Sequence, residues 1–220
     1  MTEPAPALTE VREKIAHAAK LARREPSEIE LVAISKTHPA EAILPLIAAG
    51  QRVFGENRVQ EAQSKWPALI EEHEGLSLHL VGRLQSNKAE DAVRLFDCIH
   101  SLDRPSLVAA LSRACDKAGR QVPCFVQVDI GEETQKGGCP IAEVPALLAE
   151  AHGADIPVIG LMCVPPLHVE PAPYFALLAK IAADNGLDKL SMGMSGDYET
   201  AIMLGATHVR VGSALFGARG

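Results

Sequence analysis

Lys36 closes the run LVAISK at positions 31–36, so a primary amine stands at the end of a segment whose other side chains belong in a core. Partial desolvation lowers the pKa of an amine and releases its neutral form, which is what capture of an aldehyde or ketone as an imine requires. The same lysine could instead snorkel to a rim and pair with Glu56, and position alone leaves both readings standing. A second cluster, SMGMSGDYETA at 191–201, sets a glycine and small hydroxyls at a junction between strand and helix. Free amides there can receive an anion, and Asp197 and Glu199 suit a helix N-terminus. The alternative is that Ser195 only caps the helix. A third cluster, VRVGSALFG at 209–217, repeats the small-residue turn at Gly212 and Ser213. Arg210 shares a strand face with His208 and Gly212, where a guanidinium calls for a ligand or for an internal carboxylate.

These groups act together only if the fold gathers them. Short β-type runs at 30–36, 52–55, 77–82, 97–102, 123–129, 157–162, 189–194 and 207–212 alternate with helical stretches at 39–49, 58–72, 86–95, 105–119, 141–152, 171–185 and 195–204. Prolines 39, 105 and 171 stand near helix starts, and glycines 50, 119, 153, 186 and 205 follow helix ends, as capping preferences require. An additional amphipathic helix over 8–24 precedes the first strand. Eight βα units in 220 residues predict an α/β chain folded as a single-domain (β/α)8 TIM barrel with an extra N-terminal helix. An open doubly wound sheet is the alternative, but it favours a Gly-rich turn after the first strand, where this chain has SKTHP. No Pro/Ser-rich linker divides the chain, so one domain is expected over 1–220, with 1–28 as an N-terminal helical extension. Barrel sites form at the C-terminal strand ends, and the loops after strands seven and eight commonly hold a phosphate, so the second and third clusters make one anion site.

Composition narrows the partners. A hydrophobic fraction of 47% with 22% charged residues is that of a globular chain with ample core. Lys plus Arg at 21 against Asp plus Glu at 28 leaves a net charge of −7, so nucleic acid is not an expected partner. No stretch has the length and apolarity of a signal peptide or a membrane helix, so a cytoplasmic protein without a membrane partner is expected. Five scattered cysteines without a CxxC read as reduced thiols in packing roles. His38, His79, His100 and His208 are dispersed without i, i+4 pairs, so no metal site is expected.

The motifs AISKTHP, FGENRVQEAQSK, HLVGRLQSNK, GLM, LSMGMSGDYETAI and VRVGSALFGAR run in order from about 31 to 219. Together they resemble the successive motifs of the pyridoxal phosphate homeostasis protein family. The resemblance implies a barrel similar to the N-terminal domain of bacterial alanine racemase, with pyridoxal 5′-phosphate (PLP) held as an imine on Lys36. It implies phosphate contacts from Ser195, Gly212 and Ser213 and a cradle shaped by Ser191 and Gly193, and, by analogy with the racemase fold, Arg210 at the pyridine nitrogen and Asn57 near the ring. Family members often carry histidine where Arg83 stands, so no role is carried over there. An arginine at that nitrogen disfavours a pyridinium and weakens the ring as an electron sink. Racemisation also needs an acid/base on each face of the substrate carbon; Lys36 serves one face, and Tyr174 and Tyr198 fall in helical stretches. The expectation is a monomeric PLP carrier in vitamin B6 homeostasis, without catalytic turnover, with PLP-dependent apoenzymes as recipients. A PLP-dependent amino-acid racemase-like enzyme is the alternative, and a cofactor-free aldolase using Lys36 is a third reading.

Overall fold

All eight apolar runs become strands in the computed structural model, which describes residues 6–132 and 137–217. They are β1 (Glu30–Ile34), β2 (Val53–Glu56), β3 (Ser77–Leu80), β4 (Cys98–Leu102), β5 (Cys124–Gln127), β6 (Val158–Met162), β7 (Lys189–Met194) and β8 (His208–Val211). The strands pair in parallel in chain order, and β8 returns to β1 through the register Val32 to Arg210 and Ala33 to Val211. The ring is closed, so the expected (β/α)8 barrel forms rather than an open sheet. Several strands stop short of the apolar pattern; β1 ends at Ile34, which leaves Lys36 in the turn beyond it.

Around the barrel lie α2 (Ala40–Ala48), α3 (Val59–Glu72), α4 (Ala89–Leu95), α5 (Pro105–Ala118), α6 (Val144–Gly153), α7 (Ala172–Asp184) and α8 (Tyr198–Met203). The preceding helix, α1 (Pro6–Leu21), buries Leu8, Val11, Ile15, Ala18 and Ala19 and packs on α8 and on a terminal turn, α9 (Ser213–Phe216). Arg24 anchors its end by donating to the carbonyl of Ala206 at 2.7 Å. Several boundaries differ from the periodicity; the helices expected from 86 and 141 start at Ala89 and Val144, each behind a short 3-10 turn. The helix expected from 195 starts at Tyr198, because Asp197 Oδ1 accepts from the Met194 amide at 2.5 Å and holds 194–197 as a turn. The four residues of α9 are too few to show a helical period. No helix among the described residues is long and apolar enough to cross a membrane.

Alternation sorts the strand residues into two cores. Outward residues such as Val209 and Val211 are fully buried under the helices. Inside the barrel, Cys98, Phe125 and Met162 form a small apolar cluster. Phe125 also carries the rings of His100 and His208 at centroid distances of 4.5 and 4.9 Å. His79 joins them, with its Nδ1 3.0 Å from His100 Nε2, so histidines that look dispersed in the sequence converge on the barrel axis. Side-chain ligand atoms of His79, Cys98 and His100 lie within 4.8 Å of one another, but the two imidazoles are already bonded to each other. All five cysteines are free and buried, and burial pushes the Cys98 and Cys163 thiols up to about 12.

Burial holds His79 down to about 4 and His208 down to about 3, against an ordinary 6.5, and holds His100 well below that value. Below pH 6.5 the unfolded chain therefore takes up protons that the folded barrel refuses, and stability falls as pH falls. Resistance to urea is expected to decline between pH 6.5 and 4, at a limiting slope of about 1.4 kcal/mol per pH unit for each buried imidazole. A His208→Leu variant has the shallower decline of one imidazole fewer; an unfolding free energy that stays level across this range contradicts the account.

Candidate functional site

The C-terminal ends of β1, β2, β7 and β8 are neighbours in the ring, and between them opens a cavity of about 480 Å³. Lys36, Asn57, Ser195, Arg210, Gly212 and Ser213 all line it. Ser191 and Gly193, also singled out in the sequence, do not. Ser191 is fully buried beneath Arg210. Gly193 has φ 91°, and a Cβ there would fall 2.6 Å from that of Ala201, so only glycine lets β7 lie against α8 and turn into Ser195.

The turn that carries Lys36 is braced from below. Thr37 adopts a left-handed φ of 65°. Lys65 of α3 sends its ammonium beneath this turn and donates to the carbonyls of Ser35 and His38, each at 3.0 Å. The same Nζ lies 2.7 Å from Glu56 Oε1, which also accepts from Ser35 Oγ at 2.7 Å and from Trp66 Nε1 at 3.0 Å. Glu56 thus has its ion pair with Lys65, not with the Lys36 that the sequence put beside it. Sequence reasoning missed Lys65 because its partners lie on other elements; the only local sign is a Glu61–Lys65 pair at helical spacing. The rim is completed by His38, which lines the cavity and stacks on Phe216 of α9 at 4.4 Å. Asn57 is seated by Gly82, where any side chain would collide with the Asn57 carbonyl.

Opposite Lys36 the two small-residue turns meet. Ser195 Oγ accepts from the amides of Gly212 and Ala214 at 3.1 and 3.4 Å. The reading of Ser195 as a cap of α8 is corrected: the hydroxyl crosses to the start of α9, while Asp197 occupies the α8 cap position. Gly212 sits against Ile34 at the end of β1, where a Cβ would stand 3.4 Å from it. Gly196 faces open space, and with Ser213 it gives this wall amides and hydroxyls with no acidic side chain among its lining residues.

Arg210 forms the floor at 5% exposure. Its Nη1 donates to Ser191 Oγ at 2.6 Å and its Nη2 to the Cys163 carbonyl at 2.8 Å. No carboxylate pairs with it among the described residues, so the internal ion pair considered from the sequence is not what holds it. Burial pulls its pKa below the ordinary value, but a guanidinium stays protonated. The cavity therefore offers an amine on one wall, an amide and hydroxyl cradle on the other and a fixed cation beneath. Elsewhere on the rim the charges are paired: Arg83 with Asp103 at 3.7 Å and Lys88 with Asp91 at 3.6 Å. Tyr198 is buried in α8, and neither it nor Tyr174 lines the cavity.

Comparison with known proteins agrees with this geometry. The model of the alanine racemase N-terminal domain matches residues 8–220. The pyridoxal phosphate homeostasis protein of Escherichia coli (strain K12) is 40% identical over 234 residues, covering 100% of this chain and 98% of the relative. That of Pseudomonas aeruginosa is 40% identical over 219 residues, covering 96% and 94%. Among solved structures, PipY of Synechococcus elongatus PCC7942 with PLP bound superposes with a TM-score of 0.83 at 40% identity, covering 92% of this chain and 100% of that one. An alanine racemase from Clostridium difficile 630 shares the fold alone, with a TM-score of 0.70 at 15% identity over 94% of this chain and 59% of that one. A barrel of this topology, matched end to end by such relatives, makes the chain a member of the pyridoxal phosphate homeostasis protein family.

Proposed function

We propose that this protein, as one barrel domain spanning 1–220 with 1–28 as its N-terminal extension, binds PLP reversibly and serves PLP homeostasis. The observation that carries the reading is that Lys36, Arg210 and the Ser195–Gly212–Ser213 cradle share one cavity of about 480 Å³. The donor set fits the ligand group by group: an amine for an aldehyde, amides and hydroxyls for a phosphate dianion, and a cationic donor for a ring nitrogen. PLP, when bound, supplies an aldehyde carbon that an amine captures and releases reversibly. Lys36 Nζ is the attachment point, held by the braced turn between Ser35 and His38. Ser195, Gly212 and Ser213 receive the phosphate, with Gly193 and Ser191 shaping the walls from behind. Arg210 donates to the ring nitrogen and Asn57 flanks the ring. PipY, 40% identical, is a PLP-bound relative, and the curated relatives carry the homeostasis name.

The protein holds PLP rather than turning over a substrate. A cation under the ring nitrogen disfavours its protonation, which leaves the ring a weaker electron sink than one paired with a carboxylate. An amino-acid racemase-like enzyme also needs a proton carrier facing Lys36 across the substrate. His38 lines the cavity, but it stands two residues from Lys36 on the same turn and is stacked on Phe216. The mouth opens to solvent, which suits uptake and delivery of PLP to dependent apoenzymes by a monomer. Five free thiols, all buried, suit the reducing cytoplasm.

Purified protein mixed with PLP is expected to show a visible absorbance band that Lys36→Ala abolishes; a band that persists in the variant moves the attachment elsewhere. Ser213→Glu, which puts a carboxylate in the cradle, is expected to weaken PLP at least about tenfold and unphosphorylated pyridoxal far less, and equal weakening counts against the cradle. Racemase assays on common amino acids should give no rate above that of free PLP; turnover above that rate would favour the enzyme. Delivery to an apoenzyme is expected to outpace release of PLP into bulk solution, and transfer no faster than release removes the recipient role.

A further inference from the structure

Arg210 begins a line of hydrogen bonds that runs down the barrel axis. Its Nη1 donates to Ser191 Oγ at 2.6 Å, Ser191 Oγ stands 2.8 Å from His100 Nδ1, and His100 Nε2 stands 3.0 Å from His79 Nδ1. The four residues come from β8, β7, β4 and β3 and are 5%, 0%, 0% and 7% exposed. The two histidines have no part in the function proposed above.

The direction of each bond follows from its chemistry. A guanidinium carries donors and no acceptor, so Ser191 must accept from Arg210. The single hydroxyl proton then goes to His100 Nδ1, because a second accepted bond there would leave a buried donor without a partner. A neutral ring that accepts at Nδ1 bears its proton on Nε2, and that proton is donated to His79 Nδ1. Burial, then the nearby His79, His208 and Arg210, hold His100 well below its ordinary value, and burial holds His79 down to about 4. Charged and titratable groups facing the line are Cys163 and Asp197 at Arg210, and His208 and Asp97 at the histidines. With Nη2 fixed on the Cys163 carbonyl, the Ser191 bond is the second point that stops the guanidinium from pivoting.

We infer that His100, backed by His79, is a positioning residue for Arg210: it fixes Ser191 as an acceptor, which keeps the guanidinium aimed as a donor at the ring nitrogen of bound PLP and keeps that nitrogen unprotonated. The inference rests on the proposed function in one respect, that Arg210 faces the ring nitrogen.

The test is a pH titration of protein-bound PLP labelled with ¹⁵N in the ring, read by NMR, beside PLP affinity and the thermal midpoint. In His100→Leu the pH of ring-nitrogen protonation is expected to rise by about one unit, and the Kd to rise about tenfold. His100→Asn, whose amide oxygen can take the place of Nδ1, restores both toward the parent. Ser191→Ala gives the His100→Leu result without altering a histidine, and it decides the matter if His100→Leu does not fold. A folded His100→Leu or Ser191→Ala protein whose titration matches the parent overturns the inference, even if its thermal midpoint drops. An Arg210→Gln protein with an unshifted titration overturns instead the placement of Arg210 at the ring nitrogen. Failure of the parent to bind PLP overturns the proposed function itself.

Discussion

The ammonium of Lys65 has 8% of its side chain exposed and lies 2.7 Å from Glu56, with the carbonyls of Ser35 and His38 each 3.0 Å away. A charge this far from water persists only with a counter-charge and a full set of hydrogen bonds, and removing one partner of such a pair typically destabilises by about 3–5 kcal/mol. The groups therefore assemble together. Ser35 and His38 bracket Lys36, so the knot sets the turn that presents the amine. Glu56 immediately precedes Asn57, so the same knot sets the adjoining wall. Through His38 stacked on Phe216, it also meets the short helix whose amides complete the anion cradle.

Electrostatics in the cavity run against those of the chain as a whole. The net charge is −7, yet the cavity is lined by a lysine, an arginine and backbone amides, with no carboxylate among its lining residues. The acidic side chains lie elsewhere, some of them in surface pairs such as Glu10 with Lys14 and Asp184 with Lys180. Under Arg210 the barrel is filled with neutral imidazoles rather than with acids. A carboxylate in that place would bind the guanidinium and cancel its charge; a serine hydroxyl and a carbonyl hold it in position while leaving the charge for a ligand.

The barrel itself does not choose between holding a cofactor and using it. Alanine racemase shares the fold at 15% identity, and likeness at that level speaks for architecture alone. What the structure shows of this chain beyond architecture is local: the braced amine, the arginine floor and an open mouth. The buried thiols contribute to packing, and burial keeps them in the protonated, unreactive form.

Strand number, strand order and most helix boundaries were legible in the sequence, because a period of two or of 3.6 is a local property and Pro and Gly mark where it stops. Lys36, Gly212, Ser213 and Arg210 were legible as well, since each interrupts or ends an apolar run where a barrel places its mouth. Other features were decided by the tertiary structure alone. Glu56 took Lys65 as its partner, Ser195 gave its hydroxyl to the start of α9, and His100 met a serine 91 positions away. Alternation tells which residues of a strand point inward, but not which of them meet across the axis. That is settled only when β8 pairs with β1, and ring closure is a long-range constraint that no short window of sequence contains.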